Sequence, residues 1–257
     1  MHAHERITDA IRAANKSGRP ALIPFITAGY PEPEQFTETL KAVAAVGDVV
    51  ELGIPFSDPM ADGMTIQRSS FEALSKGVSL EWIFEQLDSV SEEIDTPLVM
   101  MSYLNPLLAY GYDELAERAR AAGVCGFIVP DLPFEESDEI RDALEVRDLG
   151  LIQLVTPATP PARLETLCGA SRGFVYAVTI TGITGGGAGL PPDLADYLDN
   201  VSAISGLPVC AGFGIREPKD VAAVGQHAAG AIVGSALVEV LEKGEDPQPF
   251  LRSLIGQ

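Results

Sequence analysis

Positive charge is scarce in this 257-residue chain, where 17 lysines and arginines stand against 37 aspartates and glutamates, a formal net charge of −20. The few bases are scattered and form no basic stripe, which excludes nucleic acid and anionic membranes as partners held by charge. Histidine is scarcer still, and His2, His4 and His227 are too few and too far apart for a metal site. The His2/His4 pair reads as a frayed terminus. The three cysteines, Cys125, Cys168 and Cys210, show neither CxxC nor any other metal-ligand spacing. Two of them lie in or beside apolar runs, so buried free thiols are expected. No apolar run approaches the roughly 20 residues needed to span a bilayer. The opening MHAHERITDA is too polar for a secretion signal. A soluble, cytoplasmic protein is expected.

Hydrophobic residues make up 46% of the chain, which excludes a disordered polymer and permits a large core. The acids do not form a tail. They are spread over helix-compatible segments, as in Glu32, Glu34 and Glu38, or Glu135, Glu136, Asp138 and Glu139. Such a surface suits concentrated salt, where screening removes the self-repulsion of a highly charged fold.

Apolar, β-rich runs recur at Ala21–Thr27, Asp48–Leu52, Leu98–Ser102, Gly126–Pro130, Leu151–Val155, Gly173–Thr179, Pro208–Gly212 and Gly230–Gly234. They are continuous rather than alternating, as for strands buried on both faces of a parallel sheet. Between them lie segments with helical spacing: Phe36, Leu40 and Val43 share one face, as do Leu115, Ala119 and Ala122. Eight such β-then-α units, preceded by a helix-compatible stretch at Ile7–Ala14, predict a single-domain (β/α)8 TIM barrel over residues 1–257 with an extra N-terminal helix. A doubly wound open sheet would want a glycine-rich turn after its first strand, and Thr27-Ala28-Gly29-Tyr30-Pro31 is no dinucleotide fingerprint. The gap after the second run is the longest. It predicts extra helical structure there, at Thr65–Ser75 and Leu80–Glu93.

That gap opens with DVVELGIPFSDPMADGMTIQ, residues 48–67. Glu51 interrupts a buried strand at its end, and Asp58 and Asp62 sit on the loop shaped by Gly53, Pro55, Pro59 and Gly63. A carboxylate on a rigid strand end with another on the next loop suits acid–base chemistry. The plainer readings are a solvated strand-end acid for Glu51 and a helix cap for Asp62. At the other strand ends stand Tyr103-Leu104-Asn105-Pro106 and Asp131, while Tyr176 lies within the sixth run. Asn105 and Asp131 read as turn residues. Each tyrosine could equally be a core aromatic with its hydroxyl bonded to backbone.

Glycines cluster at the last three strand ends: Thr184-Gly185-Gly186-Gly187 after the sixth, Gly212-Phe213-Gly214-Ile215 after the seventh, and Gly234-Ser235 after the eighth. Bare amides there, with a helix N-terminus behind them, make the usual barrel phosphate site, and no lysine or arginine is required. The glycine-rich stretch after the sixth strand is expected to move and to close over ligand.

These segments, taken in order, resemble the tryptophan synthase alpha subunit family over nearly the whole chain. The carriers are PFITAGYP from Pro24, ELGIPFSDP from Glu51 with Ala61-Asp62-Gly63, Tyr103-Leu104-Asn105-Pro106, Asp131-Leu132-Pro133, Gly182-Ile183-Thr184-Gly185, Gly212-Phe213-Gly214-Ile215 and Gly234-Ser235. The resemblance implies retro-aldol cleavage of indole-3-glycerol phosphate to indole and glyceraldehyde 3-phosphate. It implies that Glu51 is the general acid/base and that Asp62 bonds the indole N–H and steadies the protonated ring. Tyr176 would stand beside the glutamate and Thr184 would settle over Asp62. Gly185, Gly214, Gly234 and Ser235 would contact phosphate, with Phe213 and Ile66 as apolar neighbours. Pro55, Asp58 and Asn105 would face a beta subunit in an alpha-beta-beta-alpha tetramer. Pyridoxal phosphate would belong to that partner, leaving this chain without a cofactor. The chain departs from the family at Thr179-Ile180-Thr181, which bears on loop closure, and at Met64, often proline, which bears on the start of the following helix.

Two other readings stay open. One is another phosphate-gripping barrel of aromatic amino-acid synthesis. The indole-glycerol-phosphate-forming synthase would want a strand lysine, which none of the runs contains. The other is a non-catalytic activator of a beta subunit, against which the intact Glu51 and Asp62 weigh.

Overall fold

The computed structural model describes residues 2–178, 192–212 and 214–257. Eight parallel strands close into a barrel in chain order: β1 (Ala21–Thr27), β2 (Val50–Gly53), β3 (Leu98–Met101), β4 (Val124–Ile128), β5 (Gly150–Val155), β6 (Val175–Val178), β7 (Val209–Gly212) and β8 (Gly230–Val233). Every expected run is a strand, with ends displaced by at most two residues, as where β4 begins at Val124.

Among the described residues, α1 (Ala3–Lys16) precedes β1, and α2 (Phe36–Ala44) joins β1 to β2. The long segment after β2 carries α3 (Met64–Ser75) and α4 (Leu80–Val90), as expected. Two more helices, α5 (Leu104–Tyr110) and α6 (Tyr112–Ala121), follow β3, so Asn105 lies in the first turn of a helix rather than in a simple turn. Then come α7 (Asp138–Val146), α8 (Pro161–Ala170), α9 (Pro192–Ile204), α10 (Pro218–Val224), α11 (Ser235–Glu242) and α12 (Pro247–Leu254).

Burial explains the pattern. All seven residues of β1 are buried, because one face fills the barrel and the other packs under helices. Phe36, Leu40 and Val43 form the inner stripe of α2, while Leu115 and Ala119 do the same for α6. All three cysteines are free and buried.

The N-terminus is not frayed. His2 pairs with Asp148 through Nδ1, and the His4 N–H donates to the Asp148 carbonyl at 3.2 Å. Further along α1, Thr8 Oγ1 donates to the Gly173 carbonyl at 2.6 Å and Asn15 Nδ2 to the Ala229 carbonyl at 2.8 Å. Since these carbonyls precede β6 and β8, α1 is strapped across the floor of the barrel. The opposite mouth is left for chemistry.

Candidate active site

Register decides which side chains enter the mouth. Glu51 on β2 pairs with Phe25 on β1 and Val99 on β3. Tyr176 on β6 pairs with Leu154 on β5 and Cys210 on β7. Residues in parallel register point to the same side. Phe25, Glu51, Met101, Tyr176, Gly212 and Ile232 therefore meet in one cavity of about 150 Å³, completed by Asp62, Ile66, Gly214, Gly234 and Ser235. The two carboxyl groups, Tyr176, Ile66 and three of the expected phosphate-site residues are thus brought together. Thr184, Gly185 and Phe213 lie outside the described residues.

Glu51 is 1% exposed, and its Oε2 has no hydrogen-bond partner among the described residues. Leaving a charged oxygen so placed is costly. Burial first, and the charge of Asp62 second, push its carboxyl from 4.5 up to about 8. It is thus no solvated strand-end acid. Asp62 is half-buried, and burial lifts its carboxyl from 3.8 to about 6, with the Tyr103 hydroxyl pulling the other way. It does not cap α3: Gly63 holds the N-cap position, and the Asp62 side chain instead accepts from Tyr103 Oη at 3.2 Å. Near neutral pH the site therefore holds a proton on Glu51 and a negative charge on Asp62. Two like groups driven to different protonation states divide into acid and charge stabiliser.

Across the cavity, α11 starts at Ser235 with Gly234 as an N-cap that has no side-chain acceptor for the helix amides. Gly214, at φ +58°, adopts a conformation that other L residues resist and turns its backbone at the end of β7. A helix N-terminus with spare amides attracts an anion. The loop behind Gly214 is fixed by Asp220, whose carboxylate accepts from the Arg216 and Glu217 amides at 2.9 Å each.

Pro55 is buried, whereas Asp58 and Asn105 are exposed on the same side of the barrel as the cavity mouth. Exposed apolar side chains flank them, Met60 at 91% and Leu108 at 56%. Asp131 lies in a turn, as expected, and its carboxylate also accepts from the Leu104 amide at 2.9 Å, which anchors the start of α5. Sequence reasoning missed Phe25, Met101 and Ile232 as cavity walls. Alternation separates the two faces of each strand but does not say which face points inward, and Glu51 on β2 places Phe25 only once the register is known.

No group of three or more His, Cys, Asp or Glu residues among those described is arranged to hold a metal. No described helix is long and apolar enough to cross a membrane.

A closed parallel barrel with its ionisable groups gathered at the strand C-termini belongs to the class of (β/α)8-barrel enzymes. Comparison with known proteins narrows the class. The family described as tryptophan synthase alpha chain matches residues 11–254. The chain is 46% identical to the tryptophan synthase alpha chain of Laribacter hongkongensis, over 92% of this chain and 90% of that one. With that of Nitratidesulfovibrio vulgaris strain DP4 it shares 41%, over 96% and 97%. Among solved structures, a Mycobacterium tuberculosis tryptophan synthase superposes with TM-score 0.89 at 35% identity, covering 97% of this chain and 96% of that chain. The alpha subunit from Legionella pneumophila strain Paris gives 0.87 at 35%, with 97% and 96% covered. The chain belongs to the tryptophan synthase alpha chain family.

Proposed function

We propose that this chain, acting as one domain over residues 1–257, is the lyase that cleaves indole-3-glycerol phosphate to indole and D-glyceraldehyde 3-phosphate. The observation that carries the reading is that Glu51 and Asp62 open onto the same cavity as Gly214, Gly234 and Ser235. A phosphate ester gripped at one end thus presents its aromatic end to the two carboxyl groups.

The chemistry uses their unequal protonation. The C–C bond breaks only when the indole ring can receive its electron pair, so C3 must first be protonated. Glu51 holds a proton near neutral pH and delivers it to C3. Asp62, ionised, faces the indole N–H and stabilises the positive charge of the ring. Glu51, now a carboxylate, takes the proton of the glycerol hydroxyl beside the bond. That oxygen becomes the aldehyde carbonyl as the C–C electrons return to the ring, and no net proton is gained or lost. Tyr176 packs beside Glu51, and Ile66 and Phe213 supply apolar contact to the ring. The amides of Gly185, Gly214, Gly234 and Ser235 hold the phosphate, and Thr184 settles over Asp62.

The protein works with a beta subunit. In this reading Asp58 and Asn105 form part of the docking surface of an alpha-beta-beta-alpha tetramer in the cytoplasm, the buried Pro55 shapes the loop beneath it rather than touching the partner, and Met60 and Leu108 add apolar area. Indole passes to the pyridoxal phosphate of the partner, and this chain needs no cofactor of its own. The acidic surface supports activity at high salt, since the bases are largely engaged in ion pairs such as Arg163–Glu135 and Arg216–Glu239, leaving an excess of acids to self-repulsion in dilute buffer. An indole-release assay on the purified chain, with and without a beta subunit and across salt concentrations, tests reaction, partner and environment together. Absence of indole release in every condition would overturn the reading.

A further inference from the structure

Tyr103 sits at the junction of β3 and α5, buried, with its ring stacked on Phe56 at 5.2 Å between centroids and 26° between planes. Its hydroxyl lies where the loop after β2 passes over the cavity. It accepts from the Ala61 amide at 2.8 Å and bonds Asp62 Oδ2 at 3.2 Å. A phenol has one proton, and the Ala61 amide can only donate, so the hydroxyl receives at one side and gives its proton to the carboxylate on the other. One side chain thus holds both the backbone of the loop and the acid it carries. We infer that Tyr103 is a positioning residue for the cleavage reaction, fixing the Asp62 carboxylate toward Glu51 and in its ionised form.

The electrostatic setting makes the donor matter. Asp62 is faced by the Glu51 carboxyl on β2, by the Tyr176 hydroxyl on β6 and by the Tyr103 hydroxyl at the N-cap of α5, with the charge of Asp131 also acting on Tyr103. Among the described residues, none of the side chains lining this cavity is a lysine or arginine. The phenol is then the group that favours the charged carboxylate, against burial, which opposes it. Without the hydroxyl, Asp62 binds a proton more readily and its loop loses a tether at Ala61. The inference rests on the proposed role of Asp62, and the test must separate the two.

Tyr103→Phe keeps the ring, its volume and its stack on Phe56, and removes only the hydroxyl. Indole release by the wild-type chain, Tyr103→Phe, Asp62→Asn and the double variant is followed from about pH 5 to about pH 9. The expected result is a kcat about tenfold lower for Tyr103→Phe, as for loss of a hydrogen bond to a charged group. The acid limb of its kcat/KM profile should move to higher pH by about half a unit or more, since 1.4 kcal/mol corresponds to about one unit. Inhibition by glycerol 3-phosphate, which reports the far end of the cavity, should not change. In the Asp62→Asn background the second substitution should add little, because its target is gone. A Tyr103→Phe profile superimposable on wild type, or losses that multiply independently in the double variant, would overturn the role of Tyr103 while leaving that of Asp62 intact. Wild-type activity in Asp62→Asn would overturn the role of Asp62 and the inference with it.

Discussion

Replacing Glu51 by Gln should make the protein more stable, and increasingly so as pH rises. In the native state the carboxyl titrates at about 8, against 4.5 for an unburied glutamate. A carboxyl whose native pKa is raised binds its proton more tightly when folded than when unfolded. Its contribution to stability is therefore complete below about 4.5 and is lost progressively as pH rises through about 8. At about 1.4 kcal/mol per pH unit, the wild-type chain should lose about 4 kcal/mol from this one group between about pH 5 and about pH 9. Gln has nearly the same shape and does not titrate, so the variant escapes that loss. Every other ionisable group is common to both chains and cancels in the difference, apart from the small effect on Asp62 of removing a neighbouring charge. Urea unfolding of the two proteins at matched salt, at several pH values, measures the gap. It should widen by about 4 kcal/mol across the range, a large fraction of an ordinary domain's stability. Parallel stability curves would show that Glu51 is not held neutral by burial, and the assignment of its proton would fall with them.

Other outcomes follow from the same geometry. The kcat/KM for indole release should be bell-shaped, rising as Asp62 ionises near 6 and falling as Glu51 loses its proton near 8; a profile flat over that span would contradict the division of labour. Asp62→Asn should slow cleavage by a smaller factor than Glu51→Gln, and an equal or larger loss would reverse the ranking. Gly53→Ala should cost about 1–3 kcal/mol in urea unfolding, because the new methyl would lie 2.4 Å from the Phe25 ring, which is wedged inside the barrel. An unaltered midpoint would show that the ring has room to move. Transfer into dilute buffer should reduce secondary structure measured by circular dichroism, with recovery on adding salt, and indifference to salt would count against a surface adapted to it.

The barrel was legible because its strands are buried on both faces. Continuous apolar runs such as Ala21–Thr27 announce themselves, whereas α5 did not, since a seven-residue helix carrying Pro106 in its first turn has too little periodicity to read. Glu51 stood out as an acid inside an apolar run, and Asp62 through its place in the following loop. Their protonation states could not be read, because these arise from burial and from the distance between side chains on separate elements. Phe25 and Tyr103 were hidden for a related reason. A strand phenylalanine looks the same whether it faces the cavity or the helices, and the bond from Tyr103 to Asp62 joins residues 41 positions apart. The histidines misled in the opposite direction: His2 and His4 look like a loose end until Asp148 is seen beneath them.

The central claim is that one cavity holds the phosphate of the substrate at one end and performs proton transfer with Glu51 at the other. Turnover of indole-3-glycerol phosphate by Glu51→Gln, measured alongside glycerol 3-phosphate binding to the same preparation, tests it most directly. The account predicts that indole release falls by about a hundredfold to ten-thousandfold, the usual worth of a positioned acid–base group, while glycerol 3-phosphate binds as it does to wild type. Full activity in the variant, or joint loss of turnover and phosphate-ester binding in a folded protein, would contradict it.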